Sequence, residues 1–320
     1  MLRTTPTAIE GWFLEYRASF FEVKGVEHPK GHAVAFPRYI PSPNGDRVIG
    51  KIRYRRIPDL QTKLHHLSST FSELLTYHPY YDTVLPLVPL RESRPISPVK
   101  VAEMLEASNP QDPLLRTAIE FYRLLRDRCN WVGITGSILV GLHTPRSDID
   151  LVIYGVKAGR QALQLLAELR RDRITAPLPP HILQEVLQQR QHDTPLGWKP
   201  ELEQQRLLQG LFNNTPYFIR LVLLPDEWLA TCHGPYRRLG TYRTTLRILD
   251  NTLAPFTPCL YHVEDPTGSV EFLVSHHGRF SEILEEGWIV EVLGVLEQLP
   301  TGAHRILVDY PQHYIRLVKH

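Results

Sequence analysis

Two short stretches of this 320-residue chain decide its central fold: residues 133–137, GITGS, and residues 147–155, SDIDLVIYG. The second stretch predicts a strand over residues 148–154, in which alternate side chains point to the same face. Asp148 and Asp150 therefore project together, while the apolar residues that alternate with them enter the core. Mg²⁺ is typically held by one or two carboxylates together with substrate phosphates. The pair thus predicts a metal site.

The first stretch ends in Gly136-Ser137, a pair that predicts a turn opening a helix over residues 138–143. The amides and the dipole of a helix N-terminus favour phosphate. Gly136, through its amide, and Ser137 are therefore candidate phosphate ligands. Arg146, in the loop just before the aspartates, has two open interpretations: it contacts phosphate, or it forms a surface ion pair.

Composition limits the class of protein. The net charge of +2 gives no general excess for nucleic-acid binding, so any basic partner surface must be local. Three widely spaced cysteines imply no disulfide framework. Residues 1–21 contain no apolar signal-peptide region, and no run approaches the ~18 apolar residues of a membrane span. We therefore expect a cytoplasmic protein with no membrane partner.

Residues 1–95 contain short β-prone runs separated by Gly and Pro, which predict an N-terminal β-rich domain. Within it, a hairpin strand places Lys51, Arg53 and Arg55 on one face and Arg56 largely on the other. This basic face is either a solvated edge strand protected against aggregation or a surface that contacts the phosphates of RNA.

Residues 96–230 alternate predicted helices and strands, as in an α/β unit. After the strand that carries the aspartates, the pattern predicts helices over roughly Pro180–Gln191 and Pro200–Phe212. A buried strand, Tyr217–Leu224, follows.

Residues 231–320 contain short strands at close spacing, which predict a small β-barrel-like domain. The expected fold class is therefore α/β (α+β), with a mixed sheet in the central unit and β-rich domains at both ends.

The Gly136-Ser137 pair, followed ten residues later by Asp148 and Asp150, resembles the signature of the polymerase-β-like nucleotidyltransferase superfamily. The signature spans about twenty residues, and a weaker likeness to a little-characterised group of predicted nucleotidyltransferases extends over most of the chain. The resemblance implies that Asp148 and Asp150 hold Mg²⁺ or Mn²⁺ and that Gly136 and Ser137 bind the phosphates of a nucleoside triphosphate. The implied reaction transfers a nucleoside monophosphate to an RNA end, a protein hydroxyl or a small molecule, with release of pyrophosphate.

The chain departs from the pattern of this superfamily in one place. Its members usually carry a third carboxylate on a later strand, and the matching strand here, Tyr217–Leu224, has Arg220 as its central polar residue. An arginine there could neutralise the site and bind phosphate. Two hypotheses follow: a nucleotidyltransferase, or a catalytically inactive nucleotide- or RNA-binding protein that retains the fold.

Overall fold

The computed structural model describes residues 8–193, 196–197, 200–229 and 231–319. Residues 1–7 of the predicted N-terminal domain lie outside the described residues. The architecture is α+β, with several sheets and helices between them. In that part of the chain, no helix is long and apolar enough to cross a membrane.

The described residues form 21 strands. They are β1 (Phe13–Tyr16), β2 (Ser19–Val23), β3 (His32–Pro41), β4 (Arg47–Ile49), β5 (Ile52–Arg56), β6 (Leu75–His78), β7 (Thr83–Pro89), β8 (Arg94–Ile96), β9 (Val132–Ile134), β10 (Ile149–Tyr154), β11 (Thr175–Ala176), β12 (Leu196–Gly197), β13 (Gln209–Phe212), β14 (Thr215–Val222), β15 (Arg237–Leu253), β16 (Phe256–Thr257), β17 (Cys259–Glu264), β18 (Val270–Ser275), β19 (Ile289–Gln298), β20 (His304–Leu307) and β21 (Tyr314–Lys319).

The helices range from one to about four turns. They are α1 (Leu60–Thr70), α2 (Pro98–Ser108), α3 (Pro113–Arg126), α4 (Gly136–Leu139), α5 (Val156–Arg171), α6 (Pro180–Asp193), α7 (Pro200–Gln204) and α8 (Pro225–Leu229), with 3₁₀ turns at Ser72–Leu74 and Gly278–Phe280.

The chain divides into two compact units, each built from separate segments. The first unit consists of the described residues of Met1–Thr76, Leu85–Pro177 and Leu207–Pro225. The second consists of those of Tyr77–Val84, Leu178–Arg206 and Asp226–His320. The expected boundary between residues 95 and 96 therefore falls inside the first unit.

A shared core explains why the N-terminal strands and the central α/β segment form one unit. Phe13, Phe20 and Tyr39 from the N-terminal strands pack in one buried cluster with Leu139 and Leu142, which follow the Gly-Ser turn. Burial of large apolar side chains is the main favourable term in folding. A cluster built from both segments therefore ties them together.

The first unit contains two sheets. The N-terminal sheet has the order β4-β5-β3-β2-β1-β8, and β7 also pairs with β3. The central sheet has the order β11-β13-β14-β10-β9. In the central sheet β10 runs parallel to β14 and antiparallel to β9. It is therefore mixed, as the sequence predicts, and β10 lies inside it with a neighbour on each side.

The predicted helix Pro200–Phe212 is wrong in its second half. Helix α7 ends at Gln204, and residues 209–212 form β13, which pairs antiparallel with β14. The two strands are joined at Asn213 and Asn214, which both have positive φ angles, 47° and 61°. A two-residue turn of this kind is the usual connection of a tight hairpin. Pairing with β14 therefore determines the structure of this segment.

The C-terminal strands of the second unit form a barrel-like sheet. Hydrogen-bonded pairing runs β15-β17-β18-β20-β19 and returns from β19 to β15, so that five strands complete a circuit. The β18–β20 pair is parallel, and the other pairs in the circuit are antiparallel. Strands β21 and β12 extend the sheet beyond β19. The interior is filled by buried apolar residues such as Leu246, Tyr261 and Val290.

Candidate functional site

The aspartate pair lies at the start of β10. Asp148 immediately precedes the strand and is exposed, whereas Asp150 is the second residue of the strand and is half-buried. Ile149 and Leu151, which alternate with the aspartates, are completely buried. Both carboxylates therefore belong to the opposite face of the strand from the apolar residues.

The Gly136 backbone passes directly against the carboxylate of Asp150. Gly136 has a φ angle of +65°, and a Cβ atom added to it would overlap the Asp150 side chain, with Oδ2 as the nearest atom. The preceding amide, Thr135 N, donates to Asp150 O at 2.9 Å. Only glycine combines this φ angle with such an approach at no steric cost. The Gly-Ser turn and the second aspartate are therefore neighbours, as the sequence pattern predicts.

The helix that follows this turn is shorter than predicted and starts earlier. Helix α4 covers Gly136–Leu139, one turn, instead of residues 138–143. The chain leaves the helix because Gly141 has a φ angle of +70° and Leu142 N donates to Ser137 O at 2.9 Å. Ser137 itself is buried. A single turn aligns few peptide dipoles, so the helix dipole contributes less to phosphate binding than a longer helix would.

Burial and a like charge act together on Asp150. Burial is the largest cause, and the negative charge of Asp148 the next, of a pKa of about 8 at Asp150. Arg220, Arg38 and Arg56 act in the opposite direction. Both causes favour the protonated form of Asp150, and a cation between the carboxylates would favour loss of that proton.

Two of these arginines come from the N-terminal sheet. Arg56 ends β5 opposite Tyr39 of β3, and Arg38 is the residue before Tyr39. Arg38 is half-buried and Arg56 is exposed. The positive charge of Arg38, followed by burial, lowers the pKa of Arg56, whereas Asp148 and Asp150 raise it. The two guanidinium groups are thus close enough to each other and to the aspartates to interact electrostatically.

Neither pair of charges is neutralised by direct contact. Among the residues that the structure describes, no oppositely charged side chain lies within 4.0 Å of Arg38, Arg56, Asp148 or Asp150. Two carboxylates and two guanidinium groups therefore face the same region without forming salt bridges.

A hydrogen bond and an aromatic contact hold the basic hairpin of β4 and β5 against the loop that leads to Asp148. Arg47 Nη1 donates to the carbonyl oxygen of Leu142. The Arg47 guanidinium also lies 5.5 Å from the ring centroid of Tyr39. Because Tyr39 pairs with Arg56, these contacts fix the strand ends that carry the arginines of the site.

Arg220 occupies the strand that the superfamily resemblance predicts to carry a third carboxylate, and carboxylates from the N-terminal segment surround it. On β14 it pairs opposite Val152 of β10. Its Nη1 donates to Glu10 Oε1, and it lies 3.3 Å from Glu22 Oε1. Although burial disfavours its charge, Glu10, Glu22 and Asp150 raise the pKa of Arg220 further above its usual range.

Two lysines complete this ion-pair network. Lys24 Nζ lies 3.2 Å from Glu10 Oε1 and 2.8 Å from Glu22 Oε1, and Lys63 Nζ lies 3.9 Å from Glu22 Oε2. Burial would raise the pKa of Glu22, but Lys24, Arg38, Lys63 and Arg220 hold it well below its usual range. Glu22 is thus ionised and paired, and it belongs to the network rather than to the aspartate pair.

The other basic residues singled out from the sequence lie apart from these contacts. Arg146 is exposed and has no ion pair with any residue in the described ranges. Lys51, Arg53 and Arg55 are exposed, and Arg53 Nη1 donates to the Gly45 carbonyl at 3.1 Å. The site therefore receives Arg56 from the other face of β5.

Sequence reasoning did not assign Glu10, Glu22, Arg38 or Arg56 to the site. A signal was available for Glu22, which lies in the apolar run Phe20-Phe21-Glu22-Val23, as it was for Arg220 in β14. A charged residue in a buried strand requires an opposite charge, so the two strands could have been paired on this basis.

The donor set can be tested against a bound metal. In the part of the chain that the structure describes, no three His, Cys, Asp or Glu side chains are grouped to hold a metal ion. Two carboxylates are nevertheless compatible with Mg²⁺, which keeps water or phosphate oxygens as its other ligands. Asp148 and Asp150 have this chemistry, and their mutual repulsion favours a cation.

Comparison with known proteins identifies no activity. No protein-family model matches the chain, and no solved structure matches it. The chain is 25% identical over 301 residues to an uncharacterized protein of Methanocaldococcus jannaschii, and this match covers 86% of the chain and 88% of that protein. The similarity therefore extends over most of both sequences.

Proposed function

We propose that the chain is a cytoplasmic, Mg²⁺- or Mn²⁺-dependent nucleotidyltransferase with a polymerase-β-like central unit. It would transfer a nucleoside monophosphate from a nucleoside triphosphate to an acceptor and release pyrophosphate. One observation carries the proposal: Asp148 and Asp150 lie together beside the Gly136 turn and within electrostatic range of Arg38 and Arg56. Carboxylates for a cation are thus combined with donors for phosphate.

Each residue of the site has a separate role in this proposal. Asp148 and Asp150 would hold the metal ion, and the carboxylate of Asp150 would bind it in the deprotonated form. The Gly136 amide and Ser137 hold the outer phosphates. When bound, the metal stabilises charge on the attacking and leaving oxygens. Such transfers depend on positioning and charge neutralisation more than on a protein nucleophile.

The acceptor is an RNA end, a protein hydroxyl or a small molecule. RNA as a partner would use the exposed basic face of β5, formed by Lys51, Arg53 and Arg55. Reversing these three charges should weaken RNA binding and flatten its dependence on salt. Binding that is unchanged in strength and in salt dependence would assign this face to solvent.

Arg220 favours a second candidate function. It stands on the strand where a third carboxylate would complete the metal site, and its positive charge opposes a cation at Asp150. A catalytically inactive nucleotide- or RNA-binding protein would retain the phosphate donors without needing a third acid. The two candidates differ in whether pyrophosphate is released.

The test measures pyrophosphate release. The protein is incubated with Mg²⁺ or Mn²⁺, each of the four labelled nucleoside triphosphates, and total RNA, protein or small-molecule extract as acceptor. Asp148→Asn and Asp150→Asn should each lower the rate by about 100-fold or more, because a ligand of the metal is lost.

Asp127→Asn provides the matched control, since Asp127 is an exposed aspartate at the end of α3. Its rate should equal that of the wild type. Absence of pyrophosphate release from the wild type, together with retained triphosphate binding, would select the inactive binding protein.

A further inference from the structure

Arg38 and Arg56 provide a binding element that the roles above do not use. Both lie on the N-terminal sheet, whereas the Gly136 turn follows β9 of the central sheet. Phosphate donors therefore approach the aspartates from two different sheets of the first unit.

The two arginines are adjacent but not paired with acids. Ile57 N donates to the Arg38 carbonyl at 2.9 Å, and Arg56 pairs opposite Tyr39, so the residues are neighbours across β3 and β5. Within the described ranges, neither has a carboxylate within 4.0 Å, and neither has a side-chain hydrogen bond. Two guanidinium groups held side by side repel each other. An anion that binds both of them relieves this repulsion, so the pair favours an anionic ligand.

The nearby carboxylates do not neutralise the charges of Arg38 and Arg56. Glu22, which Arg38 influences, is already bound to Lys24 and Arg220. Asp148 and Asp150 repel one another and would be occupied by a cation in the proposed enzyme. Two positive charges therefore remain for a ligand, which matches the charge of one phosphate group.

On the face of β5 that carries Arg56, buried Tyr54 separates this arginine from the exposed Ile52 at the far end of the hairpin. Residues 52, 54 and 56 alternate on β5, and Ile52 pairs with Ile49 of β4. Ile49 is 37% exposed and Ile52 is 43% exposed.

We propose that Arg38 and Arg56 form an anion subsite that binds a phosphate group of the acceptor, separate from the triphosphate at the Gly136 turn. The identification of the ligand as the acceptor rests on the proposed function. The inference adds that this acceptor is a phosphorylated molecule. In-line displacement places attacking and leaving groups on opposite sides of the transferred phosphorus, which agrees with donors supplied by two different sheets.

The test compares two ligands in binding assays. Inorganic phosphate and adenosine monophosphate are titrated without metal, and the tightest-binding of the four triphosphates is titrated with Mg²⁺. Arg38→Gln and Arg56→Gln should each weaken phosphate and monophosphate binding by about 10- to 100-fold, since each removes a charged hydrogen bond. Binding of the magnesium triphosphate should change by less than about threefold.

Arg56→Lys separates charge from geometry, because lysine keeps the charge but not the fork that binds two oxygens at once. It should give an intermediate loss. Arg160→Gln, an exposed arginine on α5 with no ion pair among the described residues, is the matched control and should bind both ligands like the wild type. Unchanged unfolding midpoints confirm that each variant is folded.

The remaining outcomes overturn the inference. Equal weakening of the binding of both ligands would assign the arginines to the triphosphate, and unchanged phosphate binding would remove the subsite.

Comparing 5′-phosphorylated with unphosphorylated oligoribonucleotides, and both with a phosphorylated sugar, identifies the source of the phosphate. Metal-free phosphate binding needs no turnover, so a wild type that binds phosphate at Arg38 and Arg56 but releases no pyrophosphate refutes the transferase and keeps the anion subsite.

Discussion

Arginine side chains of this chain occupy two kinds of environment, and the second unit supplies clear examples of the buried, paired kind. In the second unit Arg305 is buried, its Nη2 lies 2.7 Å from Glu297 Oε2, and its guanidinium lies 3.6 Å from the ring centroid of Tyr236. In the first unit Arg38 and Arg56 meet no carboxylate within 4.0 Å among the described residues. The charge of Arg305 is satisfied by the fold, whereas that of Arg38 and Arg56 is not.

Arg206 extends the comparison within the second unit. It is buried, its Nη1 lies 3.1 Å from Glu203 Oε2, and Nη2 donates to Ser281 Oγ at 2.9 Å. Buried charges are retained in folded proteins when they are paired and hydrogen-bonded. Charge that the fold leaves unpaired beside a carboxylate pair is instead evidence for a ligand, and this difference distinguishes Arg38 and Arg56 from Arg206, Arg220 and Arg305.

The largest expected effect comes from removing the paired arginine of the second unit. Arg305→Met should destabilise that unit by about 3–5 kcal/mol, because buried Glu297 loses one of its partners. Arg56→Met should leave the stability of the first unit within about 0.5 kcal/mol. Chemical denaturation followed by hydrogen exchange of peptides from each unit measures both values. Equal effects of the two substitutions would remove the distinction between the arginines.

A smaller effect separates Arg220 from the other arginines of the first unit. Arg220→Met should cost about 2–3 kcal/mol, less than Arg305→Met, because the Arg220 side chain is 19% exposed whereas that of Arg305 is 4% exposed. Arg38→Met, the matched substitution, should cost little. Thermal unfolding of the two variants provides the measurement. If Arg38→Met is as damaging as Arg220→Met, then Arg38 also belongs to the structural network and the proposed anion subsite loses its basis.

Much of the secondary structure of residues 96–230 can be predicted from sequence patterns that depend only on residues close together in the chain. The helix that begins after Asp112 is one example: the Asp112 side chain accepts from Leu115 N at 3.1 Å, and Pro113 occupies the first turn. Residues 148–154 are another, since alternation alone separates Asp148 and Asp150 from the core. These features depend on neighbours in the chain.

The parts that sequence did not predict depend on distant contacts. The segment 209–212 reads as helix on its own, but pairing with β14 makes it a strand. The proximity of Arg56 to Asp150, or of Glu10 to Arg220, joins residues about 94 to 210 positions apart, and no periodicity encodes such a distance. The Asn213-Asn214 pair is the exception, because two adjacent asparagines between apolar runs are a local signal of a tight turn.

The carboxylates of the site allow a final and smaller test of the same distinction. Because Asp150 in the folded protein has a pKa of about 8, well above its ordinary value, the folded state binds more protons than the unfolded state between about pH 4 and pH 8. The stability of the wild type should therefore fall, relative to Asp150→Asn, by about 1–2 kcal/mol from pH 6 to pH 8 in EDTA. Unfolding curves at both pH values provide the measurement.

Adding Mg²⁺ at pH 8 should recover stability in the wild type and not in Asp150→Asn, because the cation replaces the proton. The stability of Asp127→Asn should change with pH as that of the wild type does. If the stability of all three proteins changes equally with pH, the pKa of Asp150 is not raised in the folded protein.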